Sequence, residues 1–187
     1  MFFFKLGRTN IDYADLKTRD RIMMSFLIVL NVSVMLFATD AYAPSMPAMA
    51  KFLNVDEDAI QLTLTINLFG MALFPFIYGF MVDRIGRRKT VIVGTGLFFI
   101  GSLLCTQNSN LDLLYLGRFL QGAGGASYLI TGLVAIKSLY DKQQGAKVLA
   151  LQGVAISATP ALAPVIGGYI HVHLGWQWNF YIFVILG

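Results

Sequence analysis

The feature that most constrains this chain is the recurrence of long, uninterrupted apolar segments. We number them spans 1 to 6 in chain order, at residues 22–43, 60–82, 90–106, 111–136, 148–172 and 178–187. Each of the first five is near the ~20 residues with which a helix crosses a hydrocarbon core about 30 Å thick. Span 6 reaches only about 15 Å as a helix before the sequence stops, so we expect it to be truncated.

The composition excludes an ordinary soluble domain. Hydrophobic residues make up 57% of the chain and charged residues only 13%, whereas globular domains have about 25% charged residues. The segments also lack the alternation of apolar and polar residues that strands of a membrane barrel show. Because lipid offers the backbone no hydrogen-bond partners, continuous apolar segments must be helices. The sequence therefore predicts an all-α membrane protein.

The basic residues lie in alternate connections between the spans. Twelve of the 14 Lys and Arg residues precede span 1 or lie between spans 2 and 3 or between spans 4 and 5. The positive-inside rule places these connections, and with them the N-terminus, in the cytoplasm. We therefore predict a cytoplasmic lead-in at residues 1–21 and one transmembrane bundle at residues 22–187. The net charge of +4 follows from this distribution and does not indicate a nucleic-acid partner.

Two charged residues lie inside the apolar spans, Asp40 in span 1 and Arg118 in span 4. An ionisable group in a membrane is costly and is by default a functional candidate with a partner. Counting residues from the span ends puts Asp40 about 6 Å and Arg118 about 10 Å from the outer surface. We therefore expect the two charges at one level, coupled electrostatically and facing one aqueous cavity.

Such a carboxylate can act as a proton switch that is linked to conformation. Burial favours its neutral form and a nearby cation favours its charged form, so Asp40 would take up a proton when Arg118 moves away. Two alternatives stay open. The residues can form a fixed structural pair, or Asp40 can simply face the water outside.

Spans 4 and 5 are rich in small residues, which let helices approach closely in lipid. In span 4, Gly122 shares a helical face with Arg118. Span 5 combines a stripe of small residues with two prolines and a glycine pair: Gly153, Ser157, Ala161, Pro160, Pro164, Gly167 and Gly168. Prolines inside a spanning helix bend it and free backbone carbonyls. Such a helix suits sliding contacts between moving halves, and tight static packing is the alternative.

Polar residues in the spans are candidates for a substrate cavity, although each alone is more often a contact between helices. The candidates are Tyr42, Asn67 and Gln152. His171 and His173 do not share a helical face, and the chain has a single cysteine, so we predict no metal site and no cofactor. No hydrolase or kinase signature is present, and we predict that the chain is not an enzyme.

The connection between spans 2 and 3 reads Gly79-Phe-Met-Val-Asp83-Arg84-Ile-Gly86-Arg87-Arg88-Lys89. With these residues the chain resembles the N-terminal half of a major facilitator superfamily transporter, whose motif G-x-x-x-D-R-x-G-R-R-K it matches at every fixed position. A second segment is similar to the helix 4 motif of that superfamily, through Arg118, Gln121, Gly122 and Gly124.

Three further segments resemble drug–proton antiporters. Ala163-Pro164-Val-Ile-Gly167-Gly168 is similar to their helix 5 motif G-P-x-x-G-G, with Ala163 in place of the first glycine. Residues 40–47 and 175–180 are similar to the bicyclomycin-resistance (Bcr/CflA) branch of multidrug exporters. Gln177 stands where that branch usually carries arginine.

The resemblance implies a twelve-helix protein of two six-helix bundles, in which this chain is the N-terminal bundle, truncated within helix 6. It implies export of small amphipathic compounds from the inner (cytoplasmic) membrane in exchange for protons, by alternating access. Arg118 would be tied to proton coupling, and Asp83 would brace span 2 against the missing C-terminal bundle. The gating motif would comprise Gly79, Asp83, Arg84, Gly86, Arg87 and Arg88. The alternatives are an importer of a sugar, amino acid or siderophore, and a non-transporting membrane remnant.

Overall fold

In a computed structural model, described over residues 18–107 and 110–186, the chain forms seven α-helices joined by short connections. The helices are α1 Thr18–Asp40, α2 Met46–Leu53, α3 Glu57–Ile85, α4 Arg87–Thr106, α5 Leu111–Leu139, α6 Lys142–Leu174 and α7 Trp178–Leu186. This part of the chain contains no strand, which confirms the predicted all-α class. Residues 1–17 of the predicted lead-in, and Gly187 in span 6, lie outside the described residues.

Five helical stretches are long and apolar enough to cross a membrane. They are Arg19–Leu53, Glu57–Ile85, Arg87–Thr106, Leu111–Leu139 and Lys142–Leu174. They contain spans 1 to 5, and all five extend further at one or both ends. At the start of α6, for example, the Asp141 carboxylate accepts a hydrogen bond of 2.8 Å from the Gln144 amide. Such a cap begins a helix in polar residues, before its apolar part.

The end of span 1 differs from the prediction. The sequence predicts a helix to residue 43, but α1 ends at Asp40, a 3-10 turn follows at Ala43–Ser45, and α2 continues to Leu53. The prolines in this region lie at first-turn positions, where a missing N–H costs nothing. Asp40 therefore lies at a bend within a longer helical segment. The depth of about 6 Å was counted from a helix end near residue 43, and it stays a prediction.

Helix α5 is the centre of the bundle and packs against α3, α4 and α1. Glycines bring the backbones together on two of its sides. A Cβ at Gly70 of α3 would lie 2.6 Å from the carbonyl oxygen of Phe119, and one at Gly101 of α4 would lie 2.6 Å from that of Gly117. Helix α6 packs mainly on α1, and α7 contacts α4, α6 and α1. The bend at Asp40 is thus held between α5 and α6.

Candidate functional site

The Arg118 side chain is fully buried, with 0% exposure, and contacts the last turn of α1. Its Nη1 donates to the carbonyl oxygen of Ala38 at 2.9 Å and to the side-chain oxygen of Gln121 at 2.5 Å. Its Nη2 donates to the carbonyl of Thr39 at 3.4 Å. Its guanidinium carbon lies 4.3 Å from the centre of the Tyr42 ring. Arg118 therefore joins α5 to the bend that contains Asp40.

The charge of Arg118 is stabilised without a carboxylate contact. The Ala38 and Thr39 carbonyls belong to the last four of α1, which lack partners inside the helix and carry its negative dipole end. Hydrogen bonds from an ionised donor are about twice as strong as neutral ones, and the aromatic face adds a cation–π attraction. Among the described residues, no acid forms an ion pair with this guanidinium, and its Nε has no hydrogen-bond partner. Arg118 thus acts as a C-terminal cap of α1.

Asp40 directly follows Thr39, whose carbonyl accepts a hydrogen bond from Arg118. Its side chain is partly exposed, and the Arg118 charge acts on it electrostatically. The structure thus places both predicted residues at one level of the bundle. It differs from the prediction in one respect: Arg118 is enclosed by α1 and α5 and does not face an aqueous cavity. Of the two side chains, only that of Asp40 is partly exposed at the surface of the described residues.

A polar network surrounds this pair and connects four helices. Asn67 of α3 donates to the carbonyl of Arg118 at 2.9 Å and accepts from the Thr39 hydroxyl at 3.2 Å. Gln121 donates to the Ser102 hydroxyl of α4 at 3.0 Å. Sequence reasoning missed Ser102, because a single serine in an apolar span carries no signal by itself. Its position opposite Gln121 appears only once α4 and α5 are packed.

The predicted cavity residues are buried between helices. Tyr42, Asn67 and Gln152 are 0%, 2% and 2% exposed, and the Tyr42 hydroxyl lies 2.8 Å from that of Thr63. In this structure they form helix contacts, as polar residues in membranes commonly do. The prediction that they line an open cavity does not describe this conformation.

A cavity of about 100 Å³ lies elsewhere, between α1, α4 and α5. Arg87 and Arg88 line one end of it, and Asn31 and Tyr128 line its wall. Asn31 was not among the predicted cavity residues. The only signal for Asn31 in the sequence is that it is a polar residue in the first half of an apolar span.

The helix 4 motif residues pack closely against neighbouring backbones. A Cβ at Gly122 would lie 2.9 Å from the carbonyl carbon of Asn67, and one at Gly124 would lie 2.5 Å from the carbonyl oxygen of Gly94. Only glycine fits at these positions without moving α3 or α4. The same packing holds Gln121, between these glycines and Arg118, against the guanidinium.

The helix 5 motif residues divide between two environments. Gly167 is buried against Ala41, directly after the bend, and Gly168 contacts Pro44. Gly153 and Pro160 lie on the exposed face of α6, and nothing lies within 4 Å of a Cβ placed at Gly153. Pro164 is partly exposed. The side of α6 that carries Gly153 and Pro160 is thus not covered by the described residues.

The loop motif lies between α3 and α4. Gly86 ends α3 with φ at +83°, a conformation that favours glycine, and its amide donates to Val82 at 3.1 Å. Arg84 stacks on the Phe80 ring at 4.0 Å, and Arg87 donates to the Ser138 hydroxyl at 2.6 Å. Asp83 is exposed, and a Cβ at Gly79, one turn earlier, would meet nothing within 4 Å.

The model of the Major Facilitator Superfamily matches residues 28–187, which is most of the chain. The chain belongs to the Major Facilitator Superfamily. It is therefore a multi-pass membrane protein of a transporter family, and not a member of an enzyme family.

The curated relatives of this superfamily member include multidrug resistance proteins. The chain is 33% identical over 167 residues to Multidrug resistance protein MdtL of Salmonella typhimurium and of Salmonella newport. The same degree of identity relates it to MdtL of Salmonella dublin. The match covers 88% of this chain but 42% of each relative. The chain thus spans less than half the length of these relatives.

Proposed function

We propose that this chain is the N-terminal half of a proton-coupled transporter that exports small amphipathic compounds. Membership of the Major Facilitator Superfamily supports transport, and similarity to MdtL supports compounds of the multidrug type. In this proposal the chain lies in the inner membrane with its N-terminus in the cytoplasm. A second six-helix bundle completes the cavity, and protons are the coupling ion.

The observation that carries the proposal is the arrangement of Asp40 and Arg118. A buried cation caps α1 through backbone carbonyls, and a partly exposed carboxylate follows at the bend. Proton uptake by Asp40 removes the negative charge beside Arg118. Two unit charges several ångströms apart interact by a few kcal/mol at an effective dielectric constant of about 20. A change of that size shifts a two-state equilibrium by about a hundredfold, enough to favour one orientation of the bundle over the other.

The bend is where such a shift would act on neighbouring helices. Arg118 contacts the bend from α5, and Gly167 contacts it from α6. A movement of α1 relative to α5 would therefore displace α6, whose small-residue face is open. In the proposal, the faces at Gly79 and Gly153 receive helices of the second bundle. Asp83 is exposed at the end of α3, and in the proposal it accepts charge-assisted hydrogen bonds from the second bundle.

Transport by a completed carrier tests this proposal. Residues 1–187 are joined in one polypeptide to the remaining part of Salmonella typhimurium MdtL. Everted membrane vesicles that contain this carrier are supplied with an amphipathic cationic dye, and uptake of the dye is measured. We expect dye accumulation that depends on an imposed pH gradient, acid inside, and that stops when an ionophore collapses this gradient. Accumulation only with the opposite gradient would favour a proton-coupled importer. Intact MdtL in the same vesicles is the positive control.

A matched substitution separates Asp40 from a general effect of losing an acid. Asp112 is an exposed acid in the first turn of α5. Asp40→Asn should abolish gradient-dependent accumulation in the completed carrier, while Asp112→Asn should leave it near the parent level. Undiminished gradient-driven transport by Asp40→Asn would refute the proposed role of Asp40.

A further inference from the structure

The side-chain amide of Gln121 is held in one orientation between α4 and α5. Its Nε2 donates to the Ser102 hydroxyl at 3.0 Å, and its Oε1 accepts from Arg118 Nη1 at 2.5 Å. All three side chains are at most 1% exposed, so water does not compete for these bonds. An amide has donors at its nitrogen and an acceptor at its oxygen. The group that binds the nitrogen therefore decides which atom faces Arg118.

The Ser102 hydroxyl can only accept from Gln121, because its own proton is already used. It donates to the carbonyl of Phe98, one turn earlier in α4, at 2.8 Å, and a hydroxyl has a single proton. A reversed Gln121 amide would place its NH2 group against the guanidinium, donor facing donor. Its oxygen would face a hydroxyl whose proton points elsewhere. Ser102 thus excludes the reversed amide.

Close backbone packing fixes the distance between Ser102 and Gln121. A Cβ at Gly101, the residue before Ser102, would lie 2.5 Å from the Gln121 amide nitrogen. One at Gly124 would lie 2.5 Å from the carbonyl oxygen of Gly94. Helices α4 and α5 are therefore in backbone contact on both sides of this hydrogen bond. The Ser102 hydroxyl is a fixed acceptor that cannot follow a movement of the Gln121 side chain.

We propose that Ser102 is a positioning residue for Arg118 and acts through Gln121. Ser102 orients the amide, the amide oxygen holds Nη1, and Nη1 is thereby kept on the Ala38 carbonyl at the end of α1. Helix α4 in this way controls how firmly α5 is attached to the bend of α1. The positioning itself requires no transport. That the positioned guanidinium acts in proton coupling rests on the function proposed above.

The rotation rate of the Arg118 guanidinium reports its hydrogen bonds directly, because the bonds at Nη1 must break before Nη1 can rotate about Cζ. It is measured by ¹⁵N NMR on the purified 187-residue chain in detergent, labelled at its arginine side chains, well below the melting temperature of each variant. The Arg118 signal is identified by its loss in Arg118→Lys. We expect Ser102→Ala to raise the rotation rate about tenfold, the change that corresponds to one lost hydrogen bond.

A serine in α1 provides the matched control. The Ser33 hydroxyl donates to the carbonyl of Val29, also one turn earlier, at 3.0 Å, and no bond from it to Gln121 or Arg118 is present in the described part of the chain. Ser33→Ala removes the same atom and should leave the rotation rate within about twofold of the parent. An unchanged rate in Ser102→Ala, or an equal rise in Ser33→Ala, would overturn the proposal.

A double variant tests whether Ser102 acts through Gln121. Gln121→Leu should raise the rotation rate at least as much as Ser102→Ala, and combining the two should add nothing. A further severalfold rise in the double variant would show that Ser102 acts by another route and would overturn the proposal. Dye uptake by the completed carrier is recorded in parallel. A carrier that fails to transport, with the tenfold rise in Ser102→Ala still present, would refute the proposed function and leave the positioning role of Ser102 supported.

Discussion

Replacing Gly167 by alanine should destabilise the bundle at the bend after α1. A Cβ at this position would lie 2.5 Å from the carbonyl carbon of Ala41 and 2.9 Å from its Cα. Ordinary van der Waals contact begins at 3.4 Å, so α6 or the bend must move by at least about 0.9 Å. The obstacle is backbone, which cannot rotate away as a side chain can.

The size of the effect follows from two opposing contributions. Inserting a methyl group into close packing costs about 1–3 kcal/mol, and the backbone contact puts Gly167→Ala near the upper value. The higher helix propensity of alanine offsets about 1 kcal/mol of this. The net loss of about 2 kcal/mol corresponds to a fall in melting temperature of about 4–8 °C for a chain of this size.

The single cysteine gives a direct assay for this loss. Cys105 is 1% exposed, so a thiol-reactive fluorescent dye labels it only when the bundle opens. Gly168→Ala is the matched control, because its Cβ would lie 3.7 Å from Pro44, an ordinary contact. We expect Gly168→Ala to melt at or above the parent temperature. If Gly167→Ala melts within about 2 °C of Gly168→Ala, the close packing of α6 on the bend is refuted.

Three further predictions use the same chain. Arg118→Lys should lower the melting temperature by about 6–12 °C, because a single ammonium cannot replace the two guanidinium nitrogens that donate to the Ala38 and Thr39 carbonyls and a broken buried contact of this kind costs about 3 kcal/mol; an unchanged melting curve would contradict the cap. Asn67→Leu should cost about 1 kcal/mol, visible as a fall of about 2–4 °C, because it removes the donor to the Arg118 carbonyl. Purified residues 1–187 in liposomes should show no dye transport under a pH gradient, and transport by the chain alone would overturn the need for a second bundle.

The number, type and approximate limits of the spanning helices could be predicted from the sequence. Apolar length is a direct consequence of bilayer thickness, and this is why spans 1 to 5 correspond to the long helices. Helix ends were less predictable because they lie in polar residues. Proline commonly ends a helix. Pro44 and Pro47 instead lie in the first turns of the 3-10 turn and of α2, so α2 could not be expected from the sequence.

The nature of the candidate site was only partly predictable. Two charges inside apolar spans indicated that Asp40 and Arg118 belong together, because an intramembrane charge needs a partner. The partners of Arg118 are nevertheless backbone carbonyls, and every residue has one, so no sequence pattern identifies them. Likewise, spacing alone could not show that Gly167 faces the bend while Gly153 faces away from the bundle. That distinction depends on how α6 is rotated.

The most direct test of the proposed proton coupling is proton release on substrate binding. The completed carrier, with residues 1–187 joined to the remaining part of MdtL, is held in weakly buffered detergent solution near neutral pH while substrate is added and pH is recorded. The account predicts proton release by the parent and by Asp112→Asn, and none by Asp40→Asn, although Asp40→Asn still binds substrate. Equal release by Asp40→Asn and the parent would contradict the account.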